Sequence, residues 1–163
     1  MSRLDWIKSK ILSADQLQKK ITLWNFKKEK VVFTNGCFDL LHPGHIKILT
    51  EASELGDVLI VGLNSDVSVR KLKGNSRPIL NEESRALMLA SLHVVNAVVL
   101  FDEETPKALI EKIAPQVLVK GGDYTPENIA GADWVKQHGG EVKTISLLEG
   151  FSTTEIEQKM KKS

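Results

Sequence analysis

Cysteine is scarce in this sequence, and the one present, Cys37, has no second cysteine with which to form an intrachain disulfide. Such a composition is typical of a reducing compartment, so we expect a cytoplasmic protein. No apolar run reaches the length that crosses a bilayer, and residues 1–6 lack the apolar centre of a signal peptide. The sequence therefore excludes a disulfide-stabilised scaffold, and we expect no membrane partner.

An excess of one charge is also lacking. Lysine and arginine number 22 against 21 aspartate and glutamate residues, which gives a formal net charge of +1 at pH 7. A general nucleic-acid-binding protein usually has a strongly basic surface, so no nucleic-acid partner is expected. With 163 residues, the chain is long enough for one domain with its own core.

Short apolar runs alternate with amphipathic stretches along most of the chain. Strands are predicted at 31–34, 57–63, 97–101, 116–120 and 142–146, and helices at 46–55, 81–92, 105–113, within 125–138 and at 152–160. Continuous apolar strands separated by helices indicate a parallel sheet that is covered on both faces. With right-handed crossovers, the predicted fold class is α/β: a Rossmann-like, doubly wound, five-stranded parallel sheet in a single domain.

Residues 4–28 precede the first strand and are predicted to be helical. Ser13 and Gln16 form a potential capping box, and Leu17, Ile21 and Trp24 follow at helical spacing. We therefore divide the chain into an N-terminal helical extension, 1–28, and a main domain, 29–163. The extension is expected to pack on that domain or on a second subunit.

The most informative segment joins the first strand to the helix that follows it. Here His42-Pro43-Gly44-His45 comes after the strand and a glycine-bearing turn. Free N–H groups and the helix dipole attract anions to a helix N-terminus, and Pro43 suits the first helical position. Gly44 allows backbone or ligand to approach closely. The two histidines are therefore expected to face a bound phosphate from the same end of the helix.

This segment resembles the HxGH signature of the nucleotidyltransferase superfamily, and residues 150–156 resemble the superfamily's C-terminal serine/threonine motif. Within the superfamily, the chain from about residue 30 to residue 160 is similar to the adenylyltransferase domain of ADP-heptose synthesis. That similarity rests on Asn64-Ser65-Asp66, Lys71-Leu72-Lys73-Gly74, Arg77-Pro78 and Val119-Lys120-Gly121-Gly122-Asp123-Tyr124. In many bacteria the domain is fused behind a sugar kinase. This sequence contains no kinase, so we expect the chain to be the free-standing form.

The resemblance implies a reaction and its partners. ATP and the sugar 1-phosphate D-glycero-β-D-manno-heptose 1-phosphate would give ADP-heptose and pyrophosphate by direct in-line attack, with Mg²⁺ accompanying the ATP. A separate sugar kinase and phosphatase would act in the same pathway, and the product would enter lipopolysaccharide core or another surface glycan. A homodimer is also expected, because Leu4, Trp6, Ile7 and Ile11 offer apolar surface near the N-terminus.

The resemblance also implies catalytic roles. His42 and His45 would donate hydrogen bonds to the phosphate oxygens as the transition state forms. Segment 64–80 is predicted to be a long polar loop, and its Lys71 and Lys73 are assigned as catalytic cations. Which of the two lysines acts is left open, and the alternative is a solvated basic loop.

The remaining candidate residues are expected, by the same resemblance, to bind the nucleotide. They are Thr34, Asn35, Gly36, Phe38, Gly44, Arg77, Lys120, Gly122, Asp123, Ser152, Thr153 and Thr154. Phe38 is also expected to pack within the fold, Asp39 to orient its turn, and Cys37 to be structural. Arg85 either reaches the phosphates or is exposed to solvent. No carboxylate cluster in the sequence marks a dedicated metal site.

Two other functions stay open. One is a cytidylyltransferase that uses CTP and glycerol 3-phosphate, although Leu147-Leu148-Glu149-Gly150 stands where that branch carries an arginine. The other is a non-catalytic, nucleotide-binding regulator on the same fold. His42, His45 and the hydroxyls of residues 152–154 weigh against a regulator, because a sensor has no need of groups that stabilise a transition state.

Overall fold

A computed structural model describes residues 1–122, 128–148, 150, 151, 153 and 156. Within them, five strands form one sheet: β1 Val31–Gly36, β2 Val58–Asn64, β3 Ala97–Phe101, β4 Val117–Gly121 and β5 Glu141–Ile145. All neighbouring strands are parallel, in the order β3-β2-β1-β4-β5. The predicted doubly wound sheet is therefore confirmed.

Helices cover both faces of this sheet, because the strand residues are apolar on both sides. The helices are α1 Arg3–Lys8, α2 Ala14–Phe26, α3 Pro43–Ser53, α4 Asp66–Lys73, α5 Glu82–Ser91, α6 Lys107–Ile113 and α7 Ala132–Gln137. Val31 and Phe33 of β1 pack with buried residues of α2, α6 and α7. Val32, between them, packs with buried residues of α3 and α5 on the opposite face. The predicted helix at 152–160 lies largely outside the described residues.

The N-terminal segment departs from the prediction in that residues 4–28 are not helical throughout. Residues between α1 and α2 run beside the edge strand β3 instead: Leu12 N donates to Val98 O at 2.9 Å, and Val98 N donates to Lys10 O at 2.8 Å. Ser13 then caps α2 with the predicted capping box. The break occurs because pairing with the exposed edge of β3 satisfies backbone groups that an isolated edge strand leaves open.

Segment 64–80 was predicted to be a loop, and this is wrong for its first half, which forms α4. Ser65 is the N-cap and accepts a hydrogen bond from Ser68 N at 3.2 Å. Ser68 and Val69 are buried, so this short helix is held by tertiary packing. Its second half, which includes Arg70, Lys71 and Lys73, is exposed.

The position of a binding crevice follows from the strand order. The chain runs from β1 to β2 and β3 on one side of the sheet, and to β4 and β5 on the other. In sheets of this kind, ligands bind beyond the carboxyl ends of the two strands where the order reverses, which here are β1 and β4. Across the part of the chain that the structure describes, no helix is long and apolar enough to cross a membrane.

Candidate active site

A cleft of about 330 Å³ lies at the carboxyl ends of β1 and β4. Its described lining combines ten residues that the sequence singled out for the site with others that it did not. The first group is Thr34, Asn35, Gly36, Phe38, Gly44, His42, His45, Lys73, Lys120 and Thr153, and the second is Cys37, Asp39, Ile48, Gly121, Leu147 and Phe151. The fold therefore brings candidates from β1, α3, α4 and β4 to one place.

The two histidines of the motif stack against each other at the start of α3. Their ring centroids are 3.8 Å apart, with an angle of 23° between the ring planes. His42 is the N-cap and Pro43 occupies the first turn, as predicted, while His45 lies within that turn. A Cβ at Gly44 would lie 2.9 Å from Cε1 of His42, so glycine is needed for this ring position. Both rings therefore stand where the helix presents its free N–H groups.

The environment of His45 disfavours its charged form. Burial, followed by the nearby His42 and Lys73, lowers the pKa of His45 from 6.5 to about 4, although the Leu40 carbonyl acts in the opposite direction. Nδ1 of His45 is buried and has no hydrogen-bond partner within the described part of the chain. At neutral pH the ring is therefore uncharged, with one nitrogen available as a donor and the other as an acceptor.

Phe38 connects the turn after β1 to this histidine pair. Its ring is buried, with its centroid 5.0 Å from that of His45. Its backbone has a φ of 44°, a left-handed conformation that is uncommon for a non-glycine residue. Such strain persists only where the surroundings hold it in place, and here the packed aromatic ring does so. The expectation that Phe38 packs within the fold is confirmed.

Asp39 and Arg77 bind each other beside the cleft. Arg77 Nη1 donates to Asp39 Oδ2 at 2.9 Å, and the amides of Ile79 and Leu80 donate to Asp39 Oδ1 at 2.7 and 3.1 Å. Burial by itself raises the pKa of Asp39, but these hydrogen bonds outweigh burial and hold the pKa below its ordinary value. Asp39 thus orients its turn, as expected, and Arg77 does not line the cleft.

Lys120 reaches across from β4 to the end of β1. Its Nζ donates to the backbone oxygen of Asn35 at 3.3 Å and to Asn35 Oδ1 at 3.4 Å. Burial lowers the pKa of Lys120. A desolvated ammonium at the crevice between these two strands is suited to a phosphate, because an anion would restore the stabilisation that burial removes.

Of the two lysines whose roles the sequence left open, Lys73 lines the cleft, whereas Lys71 is exposed elsewhere on α4. The sequence could not distinguish them, because it predicted a loop at this point. In a helix, residues two apart point in different directions, so only one of the pair faces the cleft.

The role predicted for Arg85 from the sequence differs from the one in the structure. This residue was expected either to reach the phosphates or to be exposed. Exposure is wrong, because its side chain is fully buried, and it does not line the cleft in which phosphates are expected. Its guanidinium donates to carbonyls of Leu80, Cys37 and Asn64, and to the carboxylate of Asp66. A charged residue on the buried face of a helix is the signal that a helical projection of 82–91 provides.

The other predicted site residues divide into one described position and three that are not. Gly122 has a φ of 115°, and its amide donates to Ile145 O at 2.9 Å. Asp123, Ser152 and Thr154 lie outside the described residues. Among the residues that are described, no group of three or more His, Cys, Asp or Glu side chains is placed to hold a metal ion.

Comparison with known proteins points in the same direction as this geometry. The sequence profile of a family described as cytidylyltransferase-like matches residues 33–159. The bifunctional protein HldE of Syntrophotalea carbinolica is 52% identical over 148 residues, which cover 91% of this chain and 30% of that protein. The bifunctional protein HldE of Wolinella succinogenes is 54% identical over 154 residues, covering 94% and 32%. The chain spans about a third of the length of these curated relatives.

Solved structures show the same fold. A lipopolysaccharide core biosynthesis protein from Thermoplasma volcanium is 28% identical, with a TM-score of 0.58, over 74% of this chain and 97% of that one. A pantoate–β-alanine ligase from Francisella tularensis, solved in complex with beta-gamma ATP and β-alanine, has a TM-score of 0.56 over 93% of this chain and 76% of that one. At 16% identity, this second likeness concerns the fold alone.

Proposed function

Because the chain belongs to the cytidylyltransferase-like family, we propose that it is a nucleotidyltransferase that transfers AMP from ATP to D-glycero-β-D-manno-heptose 1-phosphate. The products would be ADP-heptose and pyrophosphate. The observation that carries the proposal is the stacked pair of His42 and His45 at the N-terminus of α3, in a cleft at the switch point of the sheet. That arrangement is suited to a phosphate group that gains negative charge during a reaction.

The choice of a sugar substrate is supported by the relatives rather than by the cleft. The similarity to HldE proteins extends over more than nine-tenths of this chain, and one solved structure of the same fold is a lipopolysaccharide core biosynthesis protein. We propose accordingly that the product enters lipopolysaccharide core or another surface glycan, that the step takes place in the cytoplasm, and that a separate sugar kinase and phosphatase serve the same pathway.

In this reaction the protein positions phosphates and stabilises charge. The sugar phosphate is the nucleophile: its oxygen bonds to the α-phosphorus of ATP while the bond to pyrophosphate breaks, so no covalent enzyme intermediate is needed. His45, which is uncharged at neutral pH, would act as a hydrogen-bond donor to the α-phosphate. Lys73 and Lys120 would offset the charge of the other phosphates. Interactions that strengthen as charge develops are the ones that raise the rate.

Magnesium would arrive with the nucleotide. Mg²⁺ prefers oxygen ligands and retains several waters, so nucleotide phosphates often supply its main contacts. The described lining of the cleft offers histidine, lysine and hydroxyl groups, and its one carboxylate, Asp39, is bound to Arg77. This set of groups fits a metal that the triphosphate carries, and the ion would neutralise phosphate charge there.

The proposal is tested by measuring pyrophosphate release with Mg²⁺, crossing ATP and CTP against heptose 1-phosphate and glycerol 3-phosphate. We expect release only with ATP and heptose 1-phosphate, and a loss of about 10²- to 10³-fold in His45→Ala, the cost of one such donor. His138→Ala, which changes the exposed histidine that follows α7, is the matched control. Release with CTP and glycerol 3-phosphate would instead assign the chain to the cytidylyltransferase alternative, and ATP binding without turnover would favour a regulator.

We also propose that the protein is a homodimer. Leu4 and Trp6 of α1 are about half exposed, which leaves apolar surface near the N-terminus. Sedimentation equilibrium over a range of concentrations tests this, and we expect a dimer that Trp6→Lys weakens. A monomer at every concentration would contradict it.

A further inference from the structure

The guanidinium of Arg85 links three segments that converge on the cleft. Its Nη1 donates to Cys37 O at 2.6 Å and to Asn64 O at 2.8 Å, at the ends of β1 and β2. Its Nε donates to Leu80 O at 3.0 Å. Its Nη2 donates to Asp66 Oδ1 at 2.7 Å. One buried cation thus satisfies three backbone carbonyls and one carboxylate, and only a planar fork of several donors can do this.

Asp66 is the first residue of α4, so its link to Arg85 fixes one end of that helix. The amide of Asp66 also donates to Glu82 Oε2 at 2.7 Å, and the buried Asn64 donates to Ser68 Oγ at 2.9 Å. These contacts all lie in the N-terminal half of α4. The other half, which ends at Lys73, is exposed. The direction of α4 is therefore set at the end that Arg85 holds.

The length of α4 makes this direction important for Lys73. Eight residues at 1.5 Å per residue span roughly 12 Å, so a tilt of about 10° at one end displaces the other by about 2 Å. Lys73 is the α4 side chain that lines the cleft. A displacement of that size is enough to remove a direct contact with a bound phosphate.

We propose that Arg85 and Asp66 are positioning residues that hold α4, and through it Lys73, against the loop after β1. This rests on the proposed function only in assigning a phosphate contact to Lys73. Neither Arg85 nor Asp66 lines the cleft, so neither is expected to touch the substrate. Their effect on activity should therefore pass through Lys73.

A first test needs no substrate. Cys37 is the sole cysteine and lines the same cleft as Lys73 and Lys120. A short reagent that reacts with one thiol and one amine is attached to Cys37, and its cross-links to the two lysines are quantified by mass spectrometry. We expect Asp66→Ala to lower the Lys73 yield several-fold relative to the Lys120 yield. Lys120 is the internal reference because it lies on β4.

Controls separate positioning from stability. Arg85→Lys keeps the charge but loses the fork of donors, so we expect it to lower the ratio of Lys73 to Lys120 cross-links. If Arg85→Lys does not fold, Asp66→Ala alone provides the test. Asn96→Ala removes the side-chain acceptor of Leu59 N, near the start of β2, and should reduce stability while leaving the ratio unchanged. An unchanged ratio in Asp66→Ala, despite reduced stability, would overturn the proposal.

A second test is a double-mutant cycle on kcat/KM for ATP. Asp66→Ala is expected to cost about tenfold in the wild-type background and less than about twofold beside Lys73→Ala, because residues that act through one another are not additive. Additive losses would overturn the proposal while leaving the proposed function intact. Absence of turnover in the wild-type protein would contradict the proposed function instead, and the cross-linking ratio would still decide the role of Arg85.

Discussion

At the scale of single residues, the motif works through close packing as much as through its ionisable groups. Gly44 leaves room for the ring of His42, and Phe38 contacts His45 from the other side of the turn. His45 is kept uncharged by burial and by neighbouring charges. A histidine in this setting donates a hydrogen bond without carrying a charge, and a phosphate that binds beside it would raise its pKa.

Gly44→Ala tests this packing. The added Cβ would lie 2.9 Å from Cε1 and 3.0 Å from Nδ1 of His42, which forces the ring to move. We expect at least about a tenfold loss of turnover, because small errors in the position of catalytic groups are costly. Stability should hold or rise, since alanine favours a helix over glycine. Turnover and thermal unfolding are measured together.

A second pair of variants isolates the cause of that loss. In a His42→Ala background the clash is absent, so adding Gly44→Ala should change turnover little. A large further loss there would show that glycine serves the ligand directly. Wild-type turnover in Gly44→Ala alone would show that the ring position of His42 is unimportant.

Residue patterns predicted the cleft better than they predicted its supports. The histidine motif follows β1 and Lys120 lies at the end of β4, and apolar runs reveal both strands, so their meeting at one sheet edge was predictable. A helical projection reveals that Arg85 is buried, but not what it binds, because its partners are mostly backbone carbonyls that carry no mark in the sequence. Lys73 could be separated from Lys71 only once α4 was known to be a helix.

At the scale of elements, the connections between strands and helices carry the site. α4 was missed because its sequence is polar and only about two turns long, so few apolar residues mark its buried face, and the burial of Ser68 and Val69 decides its structure. The strands were predicted to within a few residues, because the doubly covered sheet requires continuous apolar runs. An element whose own residues carry a clear apolar pattern can be predicted from the sequence. An element that is held by packing against other parts of the fold is harder to predict.

Asp39→Asn tests the connection between the loop after β1 and the segment before α5. Asp39 is 1% exposed and accepts from Arg77 and two amides, so losing its charge removes its buried ion pair with Arg77 and weakens both amide hydrogen bonds. We expect the free energy of unfolding to fall by about 2–4 kcal/mol. Urea denaturation measures this.

The matched control is Glu51→Gln. It breaks the ion pair of Glu51 with Lys47, 3.2 Å apart, whose side chains are 44% and 30% exposed. Exposed pairs are worth about 0–1 kcal/mol, so this variant should differ little from wild type. Equal losses in the two variants would argue against a structural role for Asp39.

At the scale of the whole molecule, the N-terminal segment belongs to the same core as the sheet. Leu17, Ile21 and Trp24 of α2 pack against β1 residues, and Lys10 Nζ donates to Leu92 O and Val95 O at 3.2 and 2.8 Å. Helical spacing identified the buried face of α2, since that spacing is a local property. The hydrogen bonds of Lys10 and Leu12 with Val98 of β3 are long-range contacts that no local sequence pattern reveals.

Stability should fall as the pH falls through the range set by His45. Its pKa is lowered from 6.5 to about 4, so between these values the unfolded chain binds a proton that the folded chain does not. Stability therefore decreases from pH 6.5 to pH 4, by up to about 3 kcal/mol at 1.36 kcal/mol per unit. The lowered pKa of Asp39 acts with the same sign, but at pH values below 3.8.

Urea denaturation at several pH values between 7 and 4 measures this slope, and His45→Gln should flatten it because the substituted side chain binds no proton. His138→Gln, at the exposed histidine that stacks on Trp134, should keep the wild-type slope. If His45→Gln and wild type have equal slopes, His45 does not govern acid stability. A flattened slope together with lost turnover would show that the group needed to stabilise phosphate charge also limits the acid stability of the fold.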